Sequence, residues 1–293
     1  MKRANERVLL SEWKPPGAEQ RFRELEDQLV ADLVTDPPAP VDIATRLGPT
    51  RAYRWDGTGE PVVFLHGAAG TSLMWTDYAA ARAGRAMCAV DTIGDVGRSR
   101  QSHPVDGPGD LADWLAEVLD GLGLERAHLV GTSYGGFLAL NLAARRPERV
   151  RSLFLIDPAG IVPVRLARFL VWGTGVFLAS LLPAAPRRAA ARVLRAPLLD
   201  DPRVLRAAFY AQRHHRTRQV RPDPLTDDQL RSIDHPTVVM VAAKSEVFRS
   251  TALHDRAAAL LPHAEVELVP TAGHALVTSH LDLLTSRLAT FLP

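Results

Sequence analysis

Residues 131–135 read Gly131-Thr132-Ser133-Tyr134-Gly135, a G-x-S-x-G pattern. The apolar run Ala127–Val130 precedes it and the helix-forming run Phe137–Ala144 follows it, so the serine lies on a predicted strand-to-helix turn. Such a sharp turn needs small neighbours, because larger side chains would clash in the strained backbone. The turn lifts the hydroxyl away from the sheet and points the helix N-terminus at it, where backbone N–H groups can stabilise an oxyanion. The pattern therefore predicts a nucleophilic serine.

Outward from this turn, short β-rich runs alternate with helical runs such as Asp110–Gly121 and Phe137–Arg145. The predicted strands are, in chain order, residues 41–47, 50–55, 62–65, 86–90, 127–130, 152–156, 237–241 and 266–269. Alternation of this kind is typical of an α/β fold with helices on both faces of the sheet. We therefore expect a mostly parallel, eight-stranded sheet.

The alternation stops after Asp157 and resumes near Pro236. This division predicts four segments. They are an N-terminal extension with one helix and the first strand (1–49), the first part of the core (50–160), a helical insertion lying over the sheet (161–230), and the second part of the core (231–293). In the extension, Phe22, Leu25, Leu29 and Leu33 form one apolar stripe at helical spacing.

A nucleophilic serine needs a base, and the base needs an orienting acid. His274 follows the run 266–269 on a loop before the last helix, where its imidazole can reach over Ser133. Glu246 follows the run 237–241, at the carboxyl edge of the sheet where the catalytic groups of open α/β sheets gather.

An oxyanion hole needs two N–H donors about 3 Å from the developing charge. Tyr134 can supply one donor from the start of the helix. The loop His66-Gly67-Ala68-Ala69-Gly70 can supply the other through the backbone of Ala68, because its small residues allow a close approach to the serine. We expect His66 to order this loop and to lie at the substrate site with Gly67.

These motifs resemble those of the α/β-hydrolase superfamily. His66-Gly67, the stretch Asp91–Ser99, the G-x-S-x-G pattern and Gly273-His274 all occur in the family's order and spacing, from about residue 50 to the end apart from the insertion. Within the superfamily the chain looks most like bacterial carboxylesterase-type members, which carry a helical cap between the sixth and seventh strands.

The resemblance implies a triad containing Ser133 and His274, with Ala68 and Tyr134 as oxyanion donors. The family's commonest acid is an aspartate in a G-x-x-D pattern, whose aligned positions here are Ala243 and Glu246. Glutamate is an accepted variant, so we predict Glu246 as the acid. Some members instead place the acid after the strand that precedes the insertion, which keeps Asp157 as the alternative.

The expected activity is that of a serine hydrolase that cleaves a small or medium, largely apolar carboxylic ester through an acyl-enzyme. A thioesterase, a C–C bond hydrolase, a perhydrolase or a natural-product lyase or cyclase would use the same triad. A ligand receptor with little turnover is a further alternative. The apolar residues of the insertion are expected to roof Ser133, and those predicted to bind substrate are Phe169, Trp172 and Phe177. Neither a metal nor an organic cofactor is expected.

Composition limits the classes of binding partner that we expect. A formal charge of +2 gives no reason to expect nucleic-acid binding, and the apolar stretch Phe169–Leu182 has too few residues to span a bilayer, so no stable membrane insertion is expected. The single cysteine, Cys88, lies in an apolar run, and Lys2 and Arg3 precede no apolar segment. We therefore expect a cytoplasmic monomer or homodimer.

Arginine is concentrated in the insertion. Residues 187–221 contain ten arginines against Asp200 and Asp201, a net charge of 10 − 2 = +8. This charge could attract an acidic substrate, a coenzyme A thioester or an anionic membrane surface. The simpler interpretation is that these arginines cover the solvated outer faces of helices.

Overall fold

A computed structural model describes residues 10–80 and 84–292, so Lys2 and Arg3 lie outside the described residues. The strands in these residues are β1 (Glu12–Trp13), β2 (Ala39–Ile43), β3 (Thr50–Trp55), β4 (Thr58–Leu65), β5 (Arg85–Val90), β6 (Ala127–Thr132), β7 (Val150–Ile156), β8 (His215–Arg216), β9 (Thr237–Ala242) and β10 (Ala264–Val269).

The α-helices are α1 (Ala18–Leu33), α2 (Thr76–Ala80), α3 (Pro108–Gly121), α4 (Tyr134–Arg145), α5 (Leu166–Ser180), α6 (Ala184–Leu194), α7 (Pro202–His214), α8 (Asp227–Arg231), α9 (Ser250–Leu260), α10 (Leu276–Ser279) and α11 (Leu281–Phe291). Short 3₁₀ turns occupy Ser72–Trp75, Pro147–Arg149 and Pro197–Leu199.

Eight strands form one sheet in the order β10-β9-β7-β6-β4-β5-β3-β2. The six strands from β10 to β5 run parallel, and β3 is antiparallel to both β5 and β2. The predicted α/β class and the mostly parallel sheet of eight strands are thus confirmed. The β2 strand begins at Ala39, before the predicted run 41–47. It ends at Ile43, because Thr45 to Gly48 form a turn.

Helices cover both faces of the sheet, and the alternation of side chains along each strand divides the core in two. In β4, Val63 and Leu65 pack into the cluster that contains α3 and α4, whereas Val62 and Phe64 pack into the cluster that contains α11. Both sets are buried, which explains why these strands read as continuous apolar runs. The parallel strands therefore end together at one buried edge, where β6 passes into α4.

Between β7 and β9 the chain forms α5, α6, α7, the short β8 and α8. We call residues 161–230 the insertion; the division of the chain into four segments stays a prediction. The N-terminal helix α1 packs against α7 of the insertion, with Phe22 in a small apolar cluster beside Val96 and Ala211. Within residues 10–80 and 84–292, none of the helices combines the length and the apolar character that spanning a bilayer requires.

Candidate active site

Ser133 lies between the end of β6 and the start of α4, with φ 50° and ψ −114°. This conformation, with a positive φ, is unusual for a residue with a side chain and is typical of strained functional turns. A Cβ atom on Gly131 would lie 2.4 Å from the carbonyl oxygen of Gly135, and one on Gly135 would lie 2.0 Å from that of Leu65. Both glycines of the G-x-S-x-G pattern are therefore required by backbone contacts, as the sequence predicted.

His274 connects Ser133 to a carboxylate. Its Nε2 lies 3.0 Å from Ser133 Oγ, and its Nδ1 lies 2.7 Å from Asp157 Oδ2. The Phe248 ring contacts the imidazole edge-on, at 5.5 Å between ring centroids. The hydroxyl, the imidazole and the Asp157 carboxylate thus form one continuous hydrogen-bonded relay.

The carboxylate of Asp157 is fully buried and is held on both oxygens. Oδ1 accepts the Ala242 N–H at 3.2 Å, and Oδ2 accepts the Ser245 hydroxyl at 2.7 Å. The backbone N–H of Asp157 donates to Met240 O at 2.8 Å, and its φ of 41° turns the chain away from β7. Neighbouring strand ends therefore orient this carboxylate towards the imidazole.

Glu246, the acid predicted from the sequence, does not contact the imidazole ring of His274. Its Oε2 accepts the backbone N–H of His274 at 2.9 Å, and its Oε1 lies 3.3 Å from a guanidinium nitrogen of Arg195. A Cβ on Gly273 would lie 2.9 Å from Glu246 Oε2 and from Arg195 Cδ, so the glycine makes room for this contact. The prediction that Glu246 orients the imidazole is wrong, because the carboxylate that bonds to Nδ1 of His274 is that of Asp157.

His66 lies under the loop that faces the serine. Its Nε2 accepts the Thr92 N–H at 2.9 Å, so Nδ1 carries the proton and donates to Gly67 O at 2.8 Å. The ring is fully buried and both nitrogens are used. The expectation that His66 orders the loop is supported, whereas its predicted place at the substrate site stays a prediction.

Asp95 anchors the same loop from below. Its Oδ2 accepts the Ala69 N–H at 2.9 Å and the Gln219 side-chain amide at 2.8 Å, and its Oδ1 accepts the Val96 N–H. Burial raises the pKa of the Asp95 carboxyl above its usual value, although these hydrogen bonds favour the charged form. Asp95 therefore ties the loop to Gln219 at the end of the insertion.

Two backbone N–H groups remain available beside Ser133. In the described part of the chain, neither Ala68 N–H nor Tyr134 N–H has an acceptor within hydrogen-bond distance. Gly67 brings the loop close, since a Cβ there would lie 3.4 Å from Ser133 Cβ. The Tyr134 ring is buried, which raises the pKa of its phenol, and its hydroxyl donates to Val220 O at 3.1 Å.

The three aromatic residues predicted to bind substrate lie in the insertion. The Phe169 ring stacks on Trp172 at 6.1 Å, and the Trp172 indole N–H donates to Leu194 O at 2.7 Å. The Phe177 ring contacts Phe209 at 5.7 Å. These contacts lie within the insertion and do not involve Ser133 or His274, so the role of these rings in substrate binding stays a prediction.

Sequence reasoning missed Ser245, Asp95 and Gln219. Ser245 lies beside Glu246 in the stretch after β9, and its hydroxyl is what connects that stretch to Asp157. A polar residue directly after a buried parallel strand is a signal that could have found it. Asp95 and Gln219 are far apart in sequence, and only the fold brings them together. Among the residues described, no cluster of His, Cys, Asp and Glu could hold a metal ion.

Comparison with known proteins identifies the family. A family model described as the alpha/beta hydrolase fold matches residues 60–281. The chain belongs to the α/β-hydrolase fold family. It is 30% identical to the carboxylesterase YbfK of Bacillus subtilis (strain 168) over 268 residues, which cover 85% of this chain and 86% of that relative.

Solved structures agree with this assignment. The naproxen esterase (carboxylesterase NP) from Bacillus subtilis superposes with a TM-score of 0.80 at 25% identity, covering 95% of this chain and 99% of that one. Carboxylesterase CesB (YbfK) from the same organism superposes with a TM-score of 0.77 at 27% identity, covering 94% and 98%. This α/β-hydrolase is therefore of the carboxylesterase type, and the resemblance inferred from its motifs is confirmed.

Proposed function

We propose that this α/β-hydrolase is a serine esterase that cleaves a small or medium, largely apolar carboxylic ester through an acyl-enzyme. The observation that carries the proposal is the relay from Ser133 Oγ through His274 to Asp157, with distances of 3.0 and 2.7 Å. Its similarity to carboxylesterases over most of the chain supports ester hydrolysis.

In acylation, Ser133 Oγ attacks the ester carbonyl carbon while its proton passes to His274 Nε2. The Asp157 carboxylate accepts the Nδ1–H and stabilises the imidazolium that forms. The carbonyl oxygen becomes an oxyanion that accepts hydrogen bonds from the backbone N–H groups of Ala68 and Tyr134. The C–O bond then breaks, the alcohol leaves with the proton from Nε2, and the acyl group stays on Oγ.

In deacylation, a water molecule takes the place of the alcohol. His274 Nε2 removes its proton as the oxygen attacks the acyl carbon, and the same proton then returns to Ser133 Oγ as the acid departs. Removing one oxyanion donor in enzymes of this kind reduces kcat about 10²- to 10³-fold. Asp95 supports oxyanion stabilisation, because its carboxylate accepts the N–H of Ala69, the residue next to the proposed donor Ala68.

A cavity of about 490 Å³ supports an apolar substrate. Ala69 and Gly70, which follow the proposed oxyanion donor Ala68 in the chain, line it, whereas Ser133 and His274 do not; its other walls are α1, α7 and the turn after Gly70. The apolar side chains that line it include Leu29, Val30, Leu33, Leu73, Met74 and Val204. We propose that this cavity takes the apolar part of the ester.

One buried acid lies on the wall of this cavity. Glu26 bonds to Arg98 at 3.1 Å, and burial, together with the charge of Asp91, raises the pKa of Glu26 to about 7. Its carboxyl therefore carries less charge near neutral pH than an exposed glutamate would. A wall of this character favours alkyl or aryl groups over anionic ones.

Covalent labelling tests the nucleophile. A fluorophosphonate should label the wild-type chain and the control Ser102→Ala, whose hydroxyl bonds Leu47 O away from the site, but not Ser133→Ala. Equal labelling of Ser133→Ala and wild type would refute the assignment of the nucleophile. Thermal unfolding of each variant shows whether the fold is kept.

A panel of aryl esters, thioesters and peracid-forming conditions tests the reaction type. We expect the highest kcat/KM for neutral esters with apolar acyl groups, and a lower kcat/KM for charged esters. A preference for thioesters would instead favour the thioesterase. Turnover no faster than in buffer, with tight ligand binding, would favour the receptor.

A cytoplasmic location belongs to the same proposal, because the single cysteine, Cys88, is buried and unpaired.

A further inference from the structure

The insertion carries an unusual amount of exposed apolar surface. Nine of the twelve most exposed large apolar residues in the described part of the chain lie between residues 166 and 193. On α5, Val171 is 74% exposed and Leu178 58%, and Leu181, directly after the helix, is 69% exposed. Single exposed apolar residues are ordinary, but a concentration of this kind on one helix marks an interaction surface.

The opposite side of α5 already has its packing partners. Val176 and Ala179 are buried in a cluster with Ala191 of α6 and Leu199 of the following turn, and Trp172 packs against the same cluster. The exposed side is therefore not needed to hold the insertion together. We call this exposed side of α5, with Val171, Leu178 and Leu181, the apolar face.

The charges in the stretch of chain that carries the apolar face have one sign, up to Asp200 and Asp201. Residues 158–199 contain six arginines and no aspartate, glutamate or lysine. Arg195 pairs with Glu246. Within residues 10–80 and 84–292, no carboxylate lies within 4.0 Å of the other five, which are Arg165, Arg168, Arg187, Arg188 and Arg192.

Helical spacing places charge and apolar groups side by side. Val171 and Leu178 are seven residues apart, so they lie on one side of α5, and Arg168 is one turn before Val171. Arg188 and Arg192 are exposed and one turn apart on α6, which packs against α5. An apolar helix bordered by unpaired arginines is typical of elements that lie in the interface of a membrane.

We propose that the apolar face binds an anionic lipid surface, with α5 lying in the plane of the membrane. The side chains of α5 enter the boundary between headgroups and acyl chains, and Arg168, Arg188 and Arg192 contact lipid phosphates or carboxylates. A second copy of this chain fits less well, because a self-paired face would bring arginines together and offer no carboxylate between 158 and 199.

Vesicle flotation of the full chain tests this proposal without use of the esterase activity. Phosphatidylcholine vesicles with about a third phosphatidylserine should bind the chain at least about tenfold more tightly than pure phosphatidylcholine vesicles. Raising the ionic strength from about 0.1 M to about 1 M shortens the Debye length from about 10 to about 3 Å and should release most of the bound chain.

Two pairs of variants locate the surface. Val171→Ser with Leu178→Ser, and separately Arg188→Gln with Arg192→Gln, should each weaken binding to anionic vesicles by at least about tenfold. The matched controls are Leu268→Ser with Leu283→Ser, which are 43% and 44% exposed outside the insertion, and Arg206→Gln with Arg213→Gln on α7. The controls should bind within about twofold of wild type.

Three results would overturn the proposal. The first is failure of the wild type to float with anionic vesicles, and the second is equal binding by the Val171/Leu178 variant and wild type. The third is a stable dimer in sedimentation that the same serine substitutions dissociate, since this would assign the apolar face to a second copy. Unaltered thermal unfolding of the variants excludes loss of the fold as the cause.

Discussion

The corner after β7 and the corner after β9 each bring a buried carboxylate to His274, but they hold different parts of it. Asp157 contacts the imidazole at Nδ1, whereas Glu246 contacts the backbone N–H of the same residue. Asp157 receives its other hydrogen bonds from Ala242 and Ser245, in and just after β9. Glu246 receives its other contact from Arg195 of the insertion.

This difference separates orientation of the ring from placement of the loop. A carboxylate at Nδ1 sets the tautomer that leaves Nε2 free to accept the serine proton, and it interacts directly with the charge that forms there. A carboxylate on the backbone N–H holds the loop in place but has no direct hydrogen bond to the ring. Asp157 should therefore affect chemistry strongly, and Glu246 should act as a positioning residue.

The largest effect is expected at Asp157. Asp157→Asn keeps the size of the side chain but can present an amide N–H to Nδ1, which favours the wrong tautomer. We expect kcat for an aryl ester to fall by about 10⁴-fold, as in other enzymes with this triad. A loss below about tenfold, with the fold intact by thermal unfolding, would show that another group orients the imidazole.

Ser245 should have the next largest effect, because its hydroxyl donates to the oxygen of Asp157 that contacts His274. A hydrogen bond to a charged group contributes about 1.5–3 kcal/mol, so Ser245→Ala should reduce kcat by at least about tenfold. The matched control is Ser250→Ala, whose hydroxyl bonds Ala242 O and not the carboxylate. Equal kcat values for the two variants would argue against a role for Ser245 in holding Asp157.

Glu246→Gln should have a smaller effect on kcat than either substitution. The glutamine oxygen can still accept the His274 N–H, and the charge interaction with Arg195 is lost. We expect less than about a tenfold decrease in kcat, because one neutral hydrogen bond replaces a charge-assisted one. The steady-state rate should retain the wild-type pH profile, since the ring contact of Asp157 is untouched.

Arg195 should have the smallest effect of the four. Its side chain is 37% exposed and lies 3.3 Å from the buried Glu246 carboxylate, which keeps its hydrogen bond to the His274 N–H when the guanidinium is removed. Arg195→Gln should change kcat by less than about fivefold. Arg203→Gln, which removes an insertion arginine paired with Asp201 and Asp32, is the control and should leave kcat unchanged.

Local patterns predicted the fold and two of the three relay residues. Gly131 and Gly135 are required by contacts with nearby backbone, so the serine turn could be recognised from five residues. The strands could be predicted because their side chains are buried on both faces of the sheet, which gives continuous apolar runs in the sequence. Gly273 precedes the histidine because Glu246 and Arg195 fill the space beside it, which explains why Gly-His was informative.

The acid could not be chosen from local pattern. Both corners follow buried parallel strands, and both carry a carboxylate at the edge where β6 ends. What separates them is that β7 pairs directly with β6, whereas β9 is one strand further away, and that Ser245 turns its hydroxyl towards Asp157. Strand order and side-chain direction are properties of the folded chain.

The direction of the insertion's apolar side could not be read from the sequence for a related reason. Its apolar residues were expected to roof Ser133, which stays a prediction, and Leu178 and Leu181 are more than half exposed. Helical periodicity shows that a helix has an apolar side, and α5 is apolar around most of its circumference between Phe169 and Ala179. Which side meets the protein is decided by packing on α6, which sequence spacing does not reveal.

The central claim is that Asp157, and not Glu246, orients the imidazole that activates Ser133. The rate of fluorophosphonate labelling measures that activation directly, because the serine must be deprotonated for reaction. We predict that Asp157→Asn slows labelling by about 10⁴-fold, whereas Glu246→Gln slows it by less than about tenfold. The reverse order, with Glu246→Gln far slower than Asp157→Asn, would contradict the account.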